Sequence, residues 1–513
     1  MLPVALKHAL VLVLLSLSAI ACAQLPPNIN RTPSVAWSQP EKTSLGRLVA
    51  SQARHHPKLS GFSLLAGGRQ AFNDRLAMIE LAEKSLDLQY YIWEEDTTGL
   101  ILAERLLKAA DRGVRVRILL DDNNMANRDR GIALLDAHLH IEIRMANPFA
   151  QRHQRLIGFI TDFDRLNHRM HNKSMAADGA IAIVGGRNIG DNYFEVDEKA
   201  NFRDMDLFVA GPLVKEVSHS FDNLWNGSWS YPISTLTKHY FSAQDLAAVR
   251  SRLSAFTQKN AYPHALEKNP HSIKQQFQQE IKNLIWAKGW VFDNDPVTLV
   301  SLKKGEISQV YNRKLASLKK EILIESAYFV VRKQGIKKAQ GLIAKGVKIR
   351  VLTNSLASND VLAAHAGYAK TREHLIKAGV EIYELRPDVQ GSLLDKLLAE
   401  GESKSSLHTK SFAFDQNSVF IGSYNLDPRS ANINTEIGIY VESAELAHRL
   451  VDFMNRGVNP EVSWRVVLNA QGKLRWLGNE QGKLKEYEIE PMTTLWQRLT
   501  VGVLRLLPIE DQL

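Results

Sequence analysis

Two stretches of the chain carry one pattern of residues: HNKSMAADGAIAIVGGRN at residues 171–188 and HTKSFAFDQNSVFIGSYN at residues 408–425. Each stretch has His, Lys and Asp at its first, third and eighth positions, then Gly and Asn at its fifteenth and eighteenth. One match to five fixed residues would arise by chance in about one of ten thousand sequences of this length. Two such matches therefore indicate that the chain contains an internal duplication.

The segments upstream of the two motifs also repeat in the same order. Each half has a strand-like segment, a segment with apolar residues at helical spacing, and a Gly-containing turn that leads into a second strand. These segments are residues 85–92, 102–110 and 112–120 in the first half, and residues 320–328, 336–343 and 345–352 in the second. Strand–helix–strand units imply right-handed crossovers, with helices on both faces of a sheet. We therefore predict an α/β fold with two homologous α/β/α sandwich halves, each with a mixed sheet, related by a pseudo-twofold axis.

The spacing at the start of each motif places two basic side chains together. Residues i and i+2 of a strand project from the same face of the sheet. His171 is therefore expected beside Lys173, and His408 beside Lys410. The duplication predicts that both pairs contribute to one active site at the interface of the halves.

The later part of each motif predicts a buried strand and then a polar turn. The apolar segments are residues 180–184 and 418–421, and the turns after them carry Asn188 and Asn425. Gly-containing turns expose backbone N–H groups to an anion, and an Asn amide adds a further donor. Two imidazoles, two ammonium groups and two amides would then surround one small anion, and a phosphodiester phosphate fits this description best.

On these residues the chain resembles the phospholipase D superfamily, whose HKD motif it contains twice. The resemblance extends from about residue 61 to about residue 444. Further segments are similar to the cardiolipin synthase branch, and the last two of them are most similar to its C-type bacterial members. These segments are residues 86–93, 112–122, 169–174 and 507–511. The resemblance implies an enzyme that transfers a phosphatidyl group from one phospholipid to phosphatidylglycerol.

The resemblance also implies covalent catalysis without a metal ion or an organic cofactor. One histidine attacks phosphorus, and the other protonates the departing alkoxide and then deprotonates the incoming alcohol or water. By analogy with other members, His171 is the expected nucleophile and His408 the acid/base, although the similarity of the motifs leaves the reverse order open. The lysines would neutralise the non-bridging phosphate oxygens. The expected phosphate-binding residues beside them are Asn188, Ser423 and Asn425, whereas Gly186, at the position of Ser423, offers no side chain.

An imidazole nucleophile also needs a carboxylate that orients its other ring nitrogen. The family places this acid downstream of the motif. The chain has Glu436 there in the second half and, when the apolar residues that follow are aligned, Asp204 in the first. Asp206 is the alternative in the first half. For the motif members Asp178 and Asp415 we expect a structural role, either holding a loop or pairing with a nearby cation.

The first 23 residues have the composition of an export signal. A short basic region precedes an apolar run over residues 9–20 and an exit of small residues around Cys22. The run is shorter than the roughly 20 residues that a membrane span needs. Cys22 either becomes the lipid-modified first residue of a lipoprotein or is removed by cleavage after Ala23, and an uncleaved anchor is a third alternative. Residues 24–57, rich in Pro, Asn and Ser, predict a tether with a short helix from about Ser44.

The duplication divides the rest of the chain into three parts. Residues 58–235 form the first half, residues 236–460 the second half, and residues 461–513 a carboxy-terminal extension with an amphipathic helix. The helix has an apolar stripe with two arginines beside it. The stripe consists of Leu495, Trp496, Leu499, Val503, Leu506 and Leu507. This helix either lies in a bilayer interface or packs on the catalytic body.

Composition narrows the class of protein and its partners. The chain has 513 residues, 45% of them apolar and 23% charged, which is typical of globular proteins and excludes a disordered or fibrous chain. The net charge of +9 favours an anionic partner, and a single cysteine excludes a disulfide scaffold or a cysteine-rich metal site.

The resemblance to the cardiolipin synthase branch implies an enzyme that forms cardiolipin from phosphatidylglycerol and a donor phospholipid, either phosphatidylglycerol or phosphatidylethanolamine. We expect it at an anionic membrane surface in the bacterial cell envelope, at the inner or the outer membrane, without a nucleic-acid partner. The alternatives are a phospholipase D that releases phosphatidic acid, a nuclease of the same superfamily, and an envelope scaffold with an inactive site.

Overall fold

The computed structural model describes residues 24–29, 31–197, 199–260, 270–299, 306–388, 404–480, 482–508 and 512. The predicted signal segment, including Cys22, lies outside these described residues. Within the described ranges, no helix has both the length and the apolar character needed to cross a bilayer.

Strands and helices alternate in the first half in the order that the sequence predicts. The strands are β1 (Ser60–Leu65), β2 (Ser85–Tyr90), β3 (Arg115–Asp121), β4 (Ile141–Ala146), β5 (Ser174–Ala177), β6 (Ile181–Gly185), β7 (Ala200–Arg203), β8 (Asp206–Ala210) and β9 (Ser230–Pro232). The helices are α1 (Ser44–Ala53), α2 (Gly68–Leu81), α3 (Thr97–Asp111), α4 (Asp129–Asp136), α5 (Arg155–Thr161), α6 (Phe163–Leu166), α7 (Val214–Trp225), α8 (Ile233–Leu236), α9 (Ala243–Lys259) and α10 (Pro270–Lys282).

The second half and the extension continue this alternation. Their strands are β10 (Ile285–Asp293), β11 (Glu321–Ser326), β12 (Lys348–Asn354), β13 (Glu381–Leu385), β14 (Lys404–Leu407), β15 (Lys410–Phe414), β16 (Ser418–Gly422), β17 (Ile437–Glu442), β18 (Ser463–Leu468), β19 (Leu474–Glu480) and β20 (Lys483–Tyr487). Their helices are α11 (Glu306–Ala316), α12 (Lys333–Ala344), α13 (Leu362–Lys377), α14 (Pro428–Asn432), α15 (Ala444–Gly457) and α16 (Leu495–Leu504).

Each half contains a mixed sheet, and the central strands of the two sheets correspond. The first sheet has the order β9–β4–β3–β2–β5–β6–β8–β1, in which β2, β3 and β4 are parallel and the other neighbours antiparallel. The second has the order β17–β16–β15–β11–β12–β13–β18–β19–β20, in which β11, β12 and β13 are parallel. Strand β10 pairs with β1 and with β17 and so connects the two sheets. The predicted fold class is confirmed.

The Gly-containing turns that the sequence repeats have the same conformation in both halves. Gly113 precedes β3 with a φ of +90°, and Gly346 precedes β12 with a φ of +83°. Residues with a Cβ rarely adopt this conformation, which glycine adopts without strain. These turns therefore end the preceding helix and start the second strand of the unit at equivalent positions.

The two halves share one core. Apolar side chains of β6, β8 and α7 pack together with those of β16, β17 and α15 in a single buried cluster. Further cores lie on the outer faces of the two sheets. Because these strands are covered on both faces, every residue of β6, β8 and β16 is buried. The shared core fixes the motifs of the two halves relative to each other.

Helices α9 and α10 lie within the range predicted for the second half, and they pack on the first half. Helix α9 contacts α3, and α10 contacts α1 and α2. Helix α10 carries Ile273, Phe277 and Ile281 at helical spacing, and all three are buried in the core of the first half. The apolar face that these three residues form explains why α10 packs on the first half.

The segment predicted as a tether is held along the first half. Arg117 donates to the backbone oxygen of Ser34 at 2.9 Å, and Arg144 donates to that of Thr32 at 2.6 Å. Both arginines are buried, and buried guanidinium groups need oxygen partners. Helix α1 adds Leu45 to the core of the first half. The segment therefore completes the first half.

Candidate active site

Main-chain pairing between the halves brings the two motifs together. Strand β7 of the first half pairs in parallel with β14 of the second. An isolated parallel bridge between Met170 and Thr435 makes the corresponding contact for the other motif. The backbone N–H of His171 donates to the oxygen of Thr435 at 3.0 Å, and that of His408 donates to the oxygen of Arg203 at 2.8 Å. Each histidine segment therefore runs beside the acid-bearing segment of the other half.

The two predicted acids contact the two histidines in a crossed arrangement. His171 Nδ1 lies 2.9 Å from Oε2 of Glu436, and His408 Nδ1 lies 2.7 Å from Oδ2 of Asp204. The sequence predicts both acids but does not indicate that each one serves the histidine of the opposite half. Because Nδ1 of each ring is engaged, Nε2 is the nitrogen left for chemistry. A complete site therefore requires both halves.

The motif lysines lie in the same buried cluster as the histidines. Lys173 Nζ donates to the backbone oxygen of His171 at 2.6 Å, and Lys410 Nζ donates to that of His408 at 2.5 Å. Burial and the charges of Lys173 and Lys410 lower the pKa of His171 well below its ordinary value. Burial, with a smaller effect of the same two charges, lowers the pKa of His408 to about 4 despite the opposing influence of Asp204. Both imidazoles are therefore neutral in the unliganded site at neutral pH.

Burial also lowers the pKa of both lysines, against the opposing influence of the nearby acids. Two ammonium groups without solvent around them repel each other, and an anion placed between them would relieve that repulsion. The cluster is therefore suited to bind a negatively charged group such as a phosphate.

The two orienting acids differ in their protonation. Burial raises the pKa of Glu436 to about 7, although the charge of Lys173 acts in the opposite direction. Burial also acts to raise the pKa of Asp204, but interactions with His408 and Lys410, including the hydrogen bond to His408, outweigh it and lower that pKa. Asp204 is therefore ionised at neutral pH, whereas Glu436 titrates in this range.

Gly186 and Ser423 occupy equivalent positions of the two motifs, and each lies beside one of these acids. A Cβ atom at Gly186 would lie 2.2 Å from Oδ1 of Asp204, so a side chain has no room there. At the equivalent position of the other motif, the hydroxyl of Ser423 donates to Glu436 and accepts from the N–H of Ile437 at 3.0 Å. The predicted phosphate-binding hydroxyl of Ser423 is thus engaged with the orienting acid.

The two predicted amides occupy different surroundings. Asn188 Oδ1 accepts from the N–H of Ile92 at 3.1 Å, and its Nδ2 donates to the hydroxyl of Tyr193 at 2.9 Å. Asn425 Oδ1 is buried, and the described residues offer it no hydrogen-bond partner. Asn188 therefore holds the end of β2 close to its own turn, whereas the amide of Asn425 is incompletely paired.

The remaining acids near the motifs lie away from the histidines. Asp178 and Asp415 have positive φ values of 53° and 50°, and the carboxylate of each accepts three backbone N–H groups. The donors are Glu83, Lys84 and Ser85 for Asp178, and Lys319, Lys320 and Glu321 for Asp415. These contacts hold turns, which is one of the two structural roles expected for them. Asp206 pairs with Arg75 at 2.9 Å. Within the described ranges, no group of three or more His, Cys, Asp or Glu side chains could hold a metal ion.

Aromatic rings, which the motifs do not indicate, complete the surroundings of the histidines. The ring of Tyr91 lies edge-on to that of His171 with 5.0 Å between centroids, and Tyr193 lies edge-on to His408 at 5.1 Å. Phe202 also contacts His408 at 5.1 Å. Tyr91 directly follows β2, and residues at strand ends often reach a functional site, which is the one sequence signal that could have identified it.

The segment before His171 is held by a buried acid at the end of β3. Asp121 Oδ2 accepts from the N–H of Met170 at 2.7 Å, and its Oδ1 lies 3.1 Å from the guanidinium of Arg169. The same oxygen accepts from the N–H of Asn123 at 2.8 Å and so caps the turn after β3. Asp121 therefore positions the first motif without contacting its histidine.

Comparisons with known proteins identify relatives of both halves of the chain. A family model described as "Cardiolipin synthase, PLD-like domain" matches residues 76–225 and 311–457, one match in each half. Cardiolipin synthase C of Escherichia coli (strain K12) is 40% identical over 473 residues, which are 91% of this chain and 99% of that protein. Cardiolipin synthase of Geobacillus kaustophilus is 25% identical over 436 residues, which are 84% of this chain and 72% of that protein.

A solved structure shares the fold. The crystal structure of phosphatidylserine synthase from Haemophilus influenzae Rd KW20 superposes with a TM-score of 0.57 and 13% identity, covering 91% of this chain and 100% of that one. At this identity the likeness bears on the fold alone. The family match in both halves and the full-length similarity to a cardiolipin synthase show that the chain belongs to the cardiolipin synthase family of phospholipase D-like proteins.

Proposed function

We propose that the protein is a phosphatidyltransferase that forms cardiolipin from phosphatidylglycerol and a donor phospholipid, through a phosphohistidine intermediate. The donor is phosphatidylglycerol or phosphatidylethanolamine. The observation that carries the proposal is the crossed arrangement of two buried histidines, each held through Nδ1 by an acid of the other half, beside two buried lysines. The similarity to cardiolipin synthase C over nearly its whole length supports phospholipids as the substrates.

The first step forms the phosphohistidine. His171 is neutral and its Nδ1 faces Glu436, so the lone pair on Nε2 attacks the phosphorus of the donor lipid. As the N–P bond forms, the bond between phosphorus and the headgroup oxygen breaks, and His408 protonates that oxygen. The headgroup leaves as glycerol or ethanolamine.

The bound phosphate prepares His408 for its role as the acid. In the free site, burial and the lysine charges keep this imidazole neutral. A phosphodiester placed between Lys173 and Lys410 offsets those charges and so raises the pKa of His408. The ionised carboxylate of Asp204 then stabilises the imidazolium. The lysines balance the negative charge that develops on the phosphate oxygens in the transition state.

The second step transfers the phosphatidyl group to the acceptor. His408, now neutral, takes the proton from the terminal hydroxyl of phosphatidylglycerol, and the hydroxyl oxygen attacks phosphorus. The N–P bond breaks, which releases cardiolipin and restores His171. Water in place of the lipid hydroxyl would give phosphatidic acid by the same route.

We also propose that the protein works at an anionic membrane surface in the bacterial cell envelope, with Cys22 as its lipid anchor. The single cysteine follows a short apolar run and small residues, and the net charge of +9 favours anionic lipid. Radiolabelled palmitate should be incorporated into the protein in bacterial cells, and Cys22→Ser should abolish the labelling. Unchanged labelling of that variant would contradict the lipoprotein assignment.

Thin-layer chromatography of products from defined lipids tests the proposed reaction. Vesicles of phosphatidylglycerol, with and without phosphatidylethanolamine, should yield cardiolipin, and His171→Ala should abolish it. His140→Ala is the matched control, because His140 is an exposed histidine outside the site. Phosphatidic acid as the sole product would mean that the protein hydrolyses phospholipids and does not transfer the phosphatidyl group. Cleavage of nucleic acid without lipid turnover would contradict the proposal.

A further inference from the structure

One face of α16 remains exposed although the helix packs on the protein. Its Val501 is buried with Leu356 in a small core against α13. Trp496 and Leu506 project on the other side and are 78% and 84% exposed. The helix packs on the catalytic body, which is one of the two predicted alternatives, and its other face carries the exposed apolar stripe. A contiguous patch of exposed apolar side chains usually marks a surface that contacts another molecule or a membrane.

A second exposed apolar patch lies in the first half, directly before the first motif. Leu156 and Ile160 of α5 are 75% and 72% exposed, and Phe163 of α6 is also exposed. Phe159 packs edge-on against Phe163 with 5.2 Å between their centroids. The two short helices therefore present a compact apolar surface to the outside.

Ion pairs hold the base of this patch on the body of the protein. Arg155 lies 3.1 Å from a carboxylate oxygen of Asp122, and Arg152 pairs with Asp122 and with Asp129. Asp122 is buried. The arginines point inward and the leucine and isoleucine point outward, which is the reverse of the usual arrangement of a surface helix in water.

The two patches adjoin the same corner of the active site. Asn167, directly after α6, donates to the side-chain oxygen of Gln512 at 2.6 Å, and Arg429 donates to the backbone oxygen of Gln512 at 3.1 Å. Gln512 is five positions after Leu507, so at most about 18 Å lies between the end of the α16 stripe and this contact. Arg429 also donates to the side-chain oxygen of Asn167 at 2.9 Å. Asn167 is four residues before His171, which places this corner next to the first motif.

We infer that the exposed face of α16 and the α5–α6 patch together dock the protein on an anionic phospholipid bilayer, at the boundary between headgroups and acyl chains. The inference rests on the proposed function in one respect, that the substrate is a membrane lipid. Helix α16 contains Arg498 and no acidic residue, and Arg505 directly follows the helix. Arg505 is exposed beside the stripe. Apolar side chains with an exposed Trp and adjacent cations suit an anionic interface.

Docking in this way would explain how a lipid reaches a buried phosphate site. A phospholipid that left the bilayer entirely would expose its acyl chains to water at a large cost. Docking through the two patches would bring this corner of the active site to the bilayer surface. The headgroup phosphate then moves into the cluster while the acyl chains stay in the bilayer.

Depth measurements with single labels test the docking directly and need no catalysis. Cys22→Ser removes the sole cysteine of the sequence, which allows one cysteine to be introduced at a time and labelled with an environment-sensitive fluorophore. Labels introduced through Ile160→Cys and Val503→Cys should shift to the blue on vesicles of phosphatidylglycerol and phosphatidylcholine, and nitroxide-labelled acyl chains should quench most of their emission. Labels introduced through Leu139→Cys and Leu484→Cys are the matched controls, because both positions are as exposed as the patches and lie outside them. Labels at 160 and 503 that respond no more than the controls would overturn the inference.

Turnover by patch variants separates docking from the proposed chemistry. Leu156→Gln/Ile160→Gln and Trp496→Gln/Leu499→Gln should each lower turnover of vesicle lipid about tenfold, the cost of about two partly buried side chains. Turnover of short-chain lipid dispersed in detergent should stay unchanged, because it needs no bilayer contact. Equal loss of turnover on both substrates would overturn the inference. So would variants that still bind vesicles but no longer associate with a second copy of the protein, because the patches would then be a contact between copies. If the labels at 160 and 503 respond to vesicles but no cardiolipin forms, the result would contradict the proposed function and still support the docking surface.

Discussion

Asp204 and Glu436 stand at equivalent positions of the two halves, and each contacts the histidine of the other half. Asp204 lies so close to Gly186 that no side chain fits there, and its interactions with His408 and Lys410 lower its pKa. Glu436 has a longer side chain and receives a hydrogen bond from Ser423, and burial raises its pKa to about 7. A duplicated site can therefore hold two identical imidazoles in different electrostatic surroundings by changing one acid and one small neighbour.

This difference favours one division of roles between the histidines. The fully ionised Asp204 stabilises the imidazolium form of His408, which an acid/base needs. Glu436 titrates near neutral pH, and in its ionised form it accepts the Nδ1–H of His171 and leaves Nε2 to attack phosphorus. The expected order, with His171 as the nucleophile, is consistent with the asymmetry of the acids.

The largest effect expected concerns the histidines. His171→Ala and His408→Ala should each lower lipid transfer by roughly 10⁴-fold or more, as removal of a nucleophile or its proton-transfer partner does elsewhere. A donor whose leaving group is p-nitrophenol needs no acid, so His408→Ala should still form an acid-labile phosphoenzyme with it, whereas His171→Ala should form none. Radiolabelled phosphate retained on the protein measures this. Retention in His171→Ala alone would reverse the roles.

A smaller effect should distinguish the two acids. Asp204→Asn should lower the rate roughly 10²- to 10⁴-fold at every pH, because it removes a permanent charge and misorients His408. With Glu436 protonated below its pKa of about 7 and ionised above it, the wild-type rate should rise as pH increases through about 7, and Glu436→Gln should remove that rise. Profiles of kcat/KM against pH measure both. Identical profiles for the two variants would mean that the acids are equivalent.

Substitutions of Gly186 and Ser423, the small residues beside the two acids, should have weaker effects, and the larger loss is expected at Gly186. Gly186→Ser places a Cβ where Asp204 lies and should destabilise the fold by about 1–3 kcal/mol and lower activity. Ser423→Gly removes one hydrogen bond to Glu436, worth about 1 kcal/mol, and leaves space behind. Denaturant unfolding and transfer assays on both variants measure the difference. A larger loss in Ser423→Gly would contradict the steric account of the Gly186 position.

The smallest effect on activity is expected at the turn aspartates. Asp178→Ala leaves three backbone N–H groups without their acceptor in a buried turn and should destabilise the fold by about 1–3 kcal/mol, with unchanged activity per folded molecule. Asp415→Ala should cost less, because the turn around Asp415 is partly exposed and water can replace the carboxylate. Asp→Asn at both positions is the control, since Asn also tolerates a positive φ. Lost activity in the folded Asp178→Ala protein would assign that residue a catalytic role.

The parts of the fold that the sequence predicts are those with a local cause. The repeated strand–helix–strand segments, the Gly113 and Gly346 turns and the buried strands after each motif all follow from periodicity and composition over a few residues. The positions of α9 and α10 do not, because an apolar face requires a partner without specifying which half provides it. The packing of residues 24–57 depends on buried arginines of β3 and β4, whose oxygen partners no sequence pattern names.

For the active site, the sequence by itself determined which groups are available: two histidines, two lysines, two downstream acids and the alternation that places His171 beside Lys173. The tertiary structure decided how they are connected. His171 and Glu436 are 265 positions apart, and His408 and Asp204 are 204 positions apart, so their pairing depends on how the two halves pack. The same packing removes water from the cluster. Burial then dominates the pKa of Glu436, whereas interactions with His408 and Lys410 outweigh it at Asp204, although the two positions in the repeat are equivalent.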